Sequence, residues 1–201
     1  MNKRVWINVL AAVALAWVLS DQSSAATADT TLANKMTAYL TPGATPRDAV
    51  VSIWMSNVNP VIGITLSFKF GGIDSLILDS AETNKGRATP FYVPQPLYKR
   101  ENQTLLINML IMRDSIGAKI TPLPPGGGPL ATLYFHTRAP FATDAFKMVA
   151  MQLPPDNTLM YITETLNTVL PEFTVVRKAP PAATSPAAGI SKPVKGKPKS
   201  P

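Results

Sequence analysis

Residues Ile62–Phe70 alternate between two classes of side chain, and this alternation limits the possible folds more than any other feature. Every even-numbered position from Ile62 to Phe70 is large and apolar, and the odd-numbered positions hold Gly63, Thr65, Ser67 and Lys69. Successive side chains of a strand point to opposite faces, so we expect one face on a core and one in water. A wet face is typical of antiparallel sandwiches and barrels, because parallel α/β sheets are covered on both faces.

The N-terminus has the pattern of a secretory signal peptide, residues 1–25. Lys3 and Arg4 precede the apolar run Val5–Leu19, and Ser23 and Ala25 occupy the −3 and −1 positions of a small-residue cleavage site. The run is too short for a stable membrane anchor. We therefore expect cleavage near Ala25, no membrane-spanning segment afterwards, and an extracellular or periplasmic location in a bacterium. The chain has no Cys, so no disulfide contributes to its stability.

The net charge of +7 is concentrated in the C-terminal tail. Residues 177–201 carry six basic and no acidic side chains, whereas Ala26–Val176 carries 11 of each. A neutral folded body argues against nucleic acid as a partner, because a nucleic-acid-binding domain normally carries a basic stripe. The tail is rich in Pro, Ala, Ser and Lys, and this composition predicts a disordered segment. It is either a solvated linker or an electrostatic tether to an anionic envelope polymer or lipid headgroups.

About 150 residues, Ala26–Val176, form one predicted domain of eight or nine short strands. The predicted strands are Lys35–Leu40, Ala49–Ser56, Ile62–Phe70, Leu76–Leu78, Thr104–Met112, Pro129–Thr137, Ala145–Met151, Thr158–Thr163 and Glu172–Val176. Thr104–Met112 is apolar almost throughout and is predicted to be covered on both faces, and Ile162–Leu170 could form a short helix. Pro is almost confined to the gaps and the tail, as a sheet requires. The pattern predicts an all-β, two-sheet antiparallel sandwich or jelly roll.

Two segments carry a resemblance to a known family. In Val61–Phe70 a Gly leads into an alternating apolar strand, and in Pro125–Phe135 a Gly-rich turn leads into a second strand. Together with the run from Val50 and with Leu76–Glu82, they resemble the cohesin domains of bacterial extracellular proteins, over roughly Met36–Val176. The resemblance implies a nine-stranded jelly roll, related to carbohydrate-binding modules, that recognises a protein partner without catalysis. It also places the wet side of Ile62–Phe70 near the partner-binding sheet.

Catalytic and metal-binding patterns are absent from the sequence, so we expect neither an enzyme nor a cofactor. His136 is the single histidine, and a zinc site needs several His, Cys or carboxylate ligands. No Gly-x-Ser-x-Gly elbow accompanies it, and no loop has calcium-binding Asp/Asn/Gly spacing. The pairs Asp74/Asp79 and Asp79/Glu82 are interpreted as turn residues. Gly126-Gly127-Gly128 lacks the Lys-Ser/Thr of a phosphate loop and is interpreted as a flexible turn.

Two surfaces are candidates for partner binding. The first is the wet side of the Ile62–Phe70 strand, with Thr65, Ser67 and Lys69. The second is the predicted loop Lys85–Arg100, with Phe91, Tyr92, Tyr98 and Arg100, since aromatic and Arg side chains are enriched in recognition hot spots. The other interpretation of that loop is a hydrophobic lid that Phe91 and Tyr98 pin onto the sandwich.

The sequence thus predicts a secreted, non-catalytic module that binds a protein, dockerin-like or another extracellular protein. Two alternatives stay open. One is a carbohydrate-binding module that binds polysaccharide on Tyr92 and Tyr98. The other is a structural envelope or matrix protein that is tethered by its basic tail.

Overall fold

A computed structural model of the chain describes residues 33–112, 119–153 and 157–181. The predicted signal peptide, and the predicted tail beyond residue 181, lie outside the described residues. All described residues belong to one compact unit, Leu32–Pro201. No helix among them is long and apolar enough to cross a membrane.

Strands account for almost all of the regular structure. They are β1 (Lys35–Pro42), β2 (Asp48–Asn57), β3 (Val61–Gly71), β4 (Ile77–Glu82), β5 (Leu97–Lys99), β6 (Thr104–Leu110), β7 (Gly126–His136), β8 (Lys147–Ala150), β9 (Gln152–Leu153), β10 (Asn157–Thr158), β11 (Met160–Thr163), β12 (Thr168–Val169) and β13 (Glu172–Val176). One 3-10 turn, Gly86–Ala88, precedes β5. Nine of the described strands have four or more residues, which fits the prediction of eight or nine.

The strands form two main sheets. The five-stranded sheet has the order β13-β1-β2-β7-β4, and the six-stranded sheet has the order β12-β11-β3-β6-β5 with β8 also paired to β3. The all-β, two-sheet prediction is therefore confirmed. The pairing is antiparallel except between β1 and β13, which run parallel, and this exception was not predicted. After β12 the chain crosses from the six-stranded to the five-stranded sheet, and β13, the last described strand, pairs there with β1, the first described one.

The core lies between the two sheets and is filled from both by alternate residues. On β3 the inward residues are Ile64, Leu66, Phe68 and Phe70, all buried. The rings of Phe70 and Phe135 meet edge to face with centroids 4.9 Å apart, which joins the two sheets at one end. Nearer the other end, the hydroxyl of buried Tyr161 on β11 donates to the carbonyl of Lys35 on β1 at 2.8 Å. The contact between the Phe70 and Phe135 rings and the hydrogen bond from Tyr161 to Lys35 thus link the two sheets directly.

The predicted helix over Ile162–Leu170 is wrong. Strands β11 and β12 form a hairpin there, in register at Tyr161↔Val169 and Ile162↔Thr168. The turn is closed by polar side chains: the amide N–H of Asn167 donates to Thr163 Oγ1 at 3.1 Å. Local bonds from Ser, Thr and Asn side chains compete with a helix and favour a turn.

The predicted flexible turn Gly126-Gly127-Gly128 is also wrong, because these residues begin β7 and pair with the end of β2. The glycines make room for one side chain. A Cβ on Gly126 would lie 2.9 Å from Arg87 Nη1, and a Cβ on Gly128 would lie 3.2 Å from Arg87 Cδ. Arg87 Nη2 donates to Asn57 Oδ1 at 2.6 Å and to the carbonyl of Pro124 at 2.7 Å. The glycines therefore allow Arg87 to tie the 3-10 turn to the end of β2.

Candidate functional site

The outer side of the six-stranded sheet, here called the open face, collects the outward side chains of five strands. Its residues are Gly63, Thr65, Ser67 and Lys69 of β3, Leu97 and Lys99 of β5, Thr104, Leu106, Asn108 and Leu110 of β6, Lys147 and Val149 of β8, and Met160 and Ile162 of β11. The alternate residues of the same strands, such as Leu105, Ile107 and Met109, are buried in the core. The alternation of the strands thus fixes which residues form this face.

The prediction that Thr65 and Ser67 are solvent-exposed is wrong. Thr65 is 5% exposed and Ser67 is 1% exposed, and of the three predicted contacts on β3 only Lys69 is exposed. Strand β3 is central, with β6 on one side and β11 and β8 on the other. Its short side chains therefore lie among longer ones: Thr65 lies opposite Asn108 and Met160, and its hydroxyl donates to Asn108 Oδ1 at 3.1 Å. Thr65 and Ser67 therefore lie beneath the exposed side chains of the open face.

Large apolar side chains on the open face are exposed to solvent. Leu97 is 59% exposed, Val149 53% and Leu110 45%. The sequence analysis missed all three as site residues. The apolar sequence of β6 predicted that both faces of this strand are covered. That prediction is wrong, because the described part of the chain covers only its inner face. The outward apolar residues of β6 were therefore the signal for an exposed site. Exposed apolar side chains grouped on one sheet face are typical of an interaction surface.

Gly63 shapes the apolar end of this face. A Cβ at this position would lie 3.1 Å from Leu110 Cδ2 and 3.2 Å from Ile162 Cδ1. Leu110 and Ile162 extend from strands on opposite sides of β3. Because Gly63 has no side chain, these two can approach each other above it and form a continuous apolar surface.

Three lysines lie at one end of the open face, where Lys69 pairs with Thr104 and Val149, Lys99 pairs with Thr104, and Lys147 pairs with Gly71. Lys69, Lys99 and Lys147 are exposed, and within the described ranges none of them pairs with a carboxylate. A depression of about 340 Å³ lies beside Lys99, and its lining includes Ser67, Leu97 and Met151. Unpaired cations at one end of the face favour a partner that presents carboxylates there.

The predicted loop Lys85–Arg100 is partly regular structure. It contains the 3-10 turn and β5, and Tyr92 forms an isolated bridge with Leu110. Phe91 is buried and Tyr98 packs against the core, so these two pin the segment to the sandwich as in the lid interpretation. Burial raises the pKa of Tyr98, whose hydroxyl donates to Gln103 Oε1 at 2.9 Å. Tyr92, at 58% exposure, and Arg100 face solvent.

The candidate chemical groups are scattered. His136 Nδ1 lies 2.6 Å from Asp79 Oδ1 at the edge of the five-stranded sheet, where an irregularity in β4 takes Asp79 out of register. Glu82 pairs with Lys85 at 3.2 Å. No group of three or more His, Cys, Asp or Glu that could hold a metal ion occurs among the described residues. Asp79 therefore lies beside His136, and Glu82 beside Lys85.

Comparisons with known proteins give a likeness of fold. The chain is similar to the sixth cohesin of scaffoldin B from Acetivibrio cellulolyticus, which was solved in complex with a Cel5 dockerin. That match has a TM-score of 0.49 and 15% sequence identity, and it covers 73% of this chain and 99% of the cohesin chain. It is also similar to the seventh ScaB type I cohesin from Pseudobacteroides cellulosolvens. This match has a TM-score of 0.45 and 15% sequence identity, and it covers 75% of this chain and 98% of the cohesin chain. No protein-family model and no curated protein matches. Both of these solved structures are cohesins, the family that the sequence resembles.

Proposed function

We propose that the protein is a secreted, non-catalytic binding module that docks a protein partner on the open face of its six-stranded sheet. The observation that carries the proposal is the exposure of Leu97, Leu110 and Val149 on one sheet face. Burying a fully exposed side chain of this kind is worth about 1.5–3 kcal/mol, and each of these is about half exposed, so a partner gains roughly half of that free energy for each one it covers. A partner that covers them recovers this free energy.

The composition of the open face favours a protein over a saccharide. Its large exposed side chains are aliphatic, its lysines lie together at one end, and it has no outward aromatic ring on the strands that form it. Interfaces between proteins commonly combine an apolar core with a polar rim. The unpaired Lys69, Lys99 and Lys147 predict that the partner is acidic where it meets them.

Two variants of matched chemistry test the site. The first replaces Leu97 and Leu110 with Asp, and the control is Leu166→Asp in the β11–β12 turn, where Leu166 is 75% exposed. All three positions are exposed, so we expect melting temperatures close to that of the unaltered protein. The chain from Ala26 to Pro201 is immobilised and incubated with proteins secreted by the source organism, in calcium and in EDTA. A dockerin-like partner is one candidate.

Binding is then measured by calorimetry with the enriched protein in purified form. Two interface leucines lost together should raise Kd at least about 30-fold, which corresponds to roughly 2 kcal/mol. Leu166→Asp should leave Kd unchanged. The proposal is wrong if the purified partner binds the double variant as tightly as the unaltered protein, or if the control weakens binding as much.

A further inference from the structure

The outer side of the five-stranded sheet carries three aromatic rings that the proposed function does not use. Tyr39 on β1, Trp54 on β2 and Tyr134 on β7 all point outward, because the alternate residues of these strands are buried in the core. Each ring is partly exposed. Rings of this kind present an apolar surface together with one polar atom at the edge.

Two of the rings are held in place before any ligand arrives. Tyr39 and Trp54 are diagonal neighbours across the β1–β2 pair, and their rings meet edge to face with centroids 6.0 Å apart. Rings fixed by such a contact lose little side-chain freedom on binding, which favours affinity. The sheet beneath them is rigid, with unbroken β1–β2 register from Lys35 to Pro42.

Hydroxyl groups lie between the rings. Ser52 is the register partner of both Tyr39 and Thr132, so it occupies the middle of the sheet. Within the described residues, no protein group hydrogen-bonds the side chains of Ser52 or Thr132, the hydroxyls of Tyr39 or Tyr134, or the indole N–H of Trp54. Each hydroxyl can both donate and accept a hydrogen bond. We call Tyr39, Ser52, Trp54, Thr132 and Tyr134 the aromatic face.

The charged side chains around the aromatic face lie at its margin. Lys35 pairs with Glu172 at 3.8 Å on one border, and Asp79 lies against His136 on the opposite border. Asp48, at the end of β2, accepts hydrogen bonds from the backbone and hydroxyl of Thr45 at 3.0 and 2.7 Å. A ligand on this face therefore meets an uncharged centre with carboxylates at its margin, which favours an uncharged ligand over an anionic one.

We propose that the aromatic face binds a neutral polysaccharide. The C–H faces of sugar rings stack on aromatic rings, and sugar hydroxyls exchange hydrogen bonds with Ser, Thr and Tyr. Aromatic rings also occur at protein interfaces, but Ser is depleted there, and a protein or a second copy would find little exposed aliphatic surface to bury on this face. None of the highly exposed large apolar residues in the described chain lies on this side. The site differs from the Tyr92/Tyr98 platform of the sequence analysis, since Tyr98 packs against the core.

Fluorescence offers a direct test, because Trp54 is the only Trp after residue 25. The chain from Ala26 to Pro201 is titrated with β-1,4-linked hexasaccharides of glucose, mannose and N-acetylglucosamine, and with hexagalacturonate as the charged counterpart. We expect the Trp54 emission to shift with at least one neutral hexasaccharide and not with hexagalacturonate.

Variants then locate the binding site by calorimetry. Tyr39→Ala and Tyr134→Ala should each raise Kd at least 10-fold, and Thr132→Val, which keeps the side-chain shape, should raise it about threefold. Tyr92→Ala and the Leu97→Asp/Leu110→Asp variant should bind as the unaltered protein does, which separates this site from the open face. The proposal is overturned if no neutral hexasaccharide binds, if hexagalacturonate binds equally well, or if Thr132→Val and both Tyr variants bind normally. A dimer in sedimentation that Tyr39→Ala dissociates would assign the face to a second copy and also overturn it.

Discussion

Replacement of Arg87 by Met removes the group that ties the 3-10 turn to β2 while keeping most of the side-chain volume. Arg87 Nη2 donates to Asn57 Oδ1 at 2.6 Å and to the Pro124 carbonyl at 2.7 Å. Asn57 is fully buried, so its Oδ1 atom has no water to replace the lost donor. Burial lowers the pKa of Arg87, which nonetheless stays protonated at neutral pH.

The magnitude follows from these two bonds. A hydrogen bond from a charged donor contributes roughly 1.5–3 kcal/mol, and a buried acceptor left without a partner costs about 1–3 kcal/mol. Because Arg87 is only partly buried, the lower values apply, and the two bonds together contribute about 3 kcal/mol. Met also removes Arg87 Nε, which is buried without a hydrogen-bond partner among the described residues and offsets about 1 kcal/mol of this. We therefore expect a net loss of about 2 kcal/mol, and for a domain of this size the melting temperature should fall by roughly 4–8 °C.

The assay is urea unfolding followed by circular dichroism, with Lys85→Met as the control. Lys85 lies two residues away and makes one exposed ion pair with Glu82, so its loss should cost less than about 1 kcal/mol. Arg87→Met combined with Asn57→Ala should cost clearly less than the two single changes added together, because both remove the same hydrogen bond. A loss below about 0.5 kcal/mol for Arg87→Met, or strict additivity, would refute the reasoning.

Four further predictions follow from single features. Tyr161→Phe removes the hydroxyl that donates to Lys35 and should lower the free energy of unfolding by about 1 kcal/mol in urea titrations. Burial raises the pKa of Tyr161, so the folded state should lose stability above about pH 10, where the unfolded chain ionises, and Tyr161→Phe should reduce that loss. Gly63→Ala displaces only flexible side-chain ends, so it should leave the melting temperature within a few degrees yet weaken partner binding on the open face. Deletion of Ser191–Pro201 should release the protein from cells at low salt if the tail is an electrostatic tether; unchanged retention would contradict that idea.

The inward residues of the long strands could be predicted from sequence, since period-2 alternation reports directly on burial. Val51, Ile53 and Met55 share one side of the predicted second strand, and all three are buried in the core. Strand β5 could not be predicted in this way, because three residues carry too little alternation to be distinguished from a loop. The parallel β1–β13 pair was also missed, since it joins segments from opposite ends of the domain and leaves no local pattern.

The candidate site was predicted less well than the fold. Alternation shows that Thr65 and Ser67 point away from the core, but it does not show that longer side chains on β6 and β11 cover them. Neighbours across a sheet are far apart in sequence, so the exposure of an outward residue depends on pairings that periodicity does not contain. Leu97 and Leu110 were missed for the same reason.

The two outer sides of the sandwich share one alternation pattern but differ in chemistry. Outward positions of β6 and β5 include Leu106, Leu110 and Leu97. The outward positions of β2 are mostly polar or aromatic: Asp48, Val50, Ser52, Trp54 and Ser56. A well-packed core of about 10 Å separates the sheets. Among the described residues, no hydrogen bond or ion pair joins a residue of the open face to one of the aromatic face, and a coupling free energy requires a structural element that both ligands bias. A partner protein on one side and a polysaccharide on the other should therefore bind independently, with each Kd unchanged when the other ligand is present.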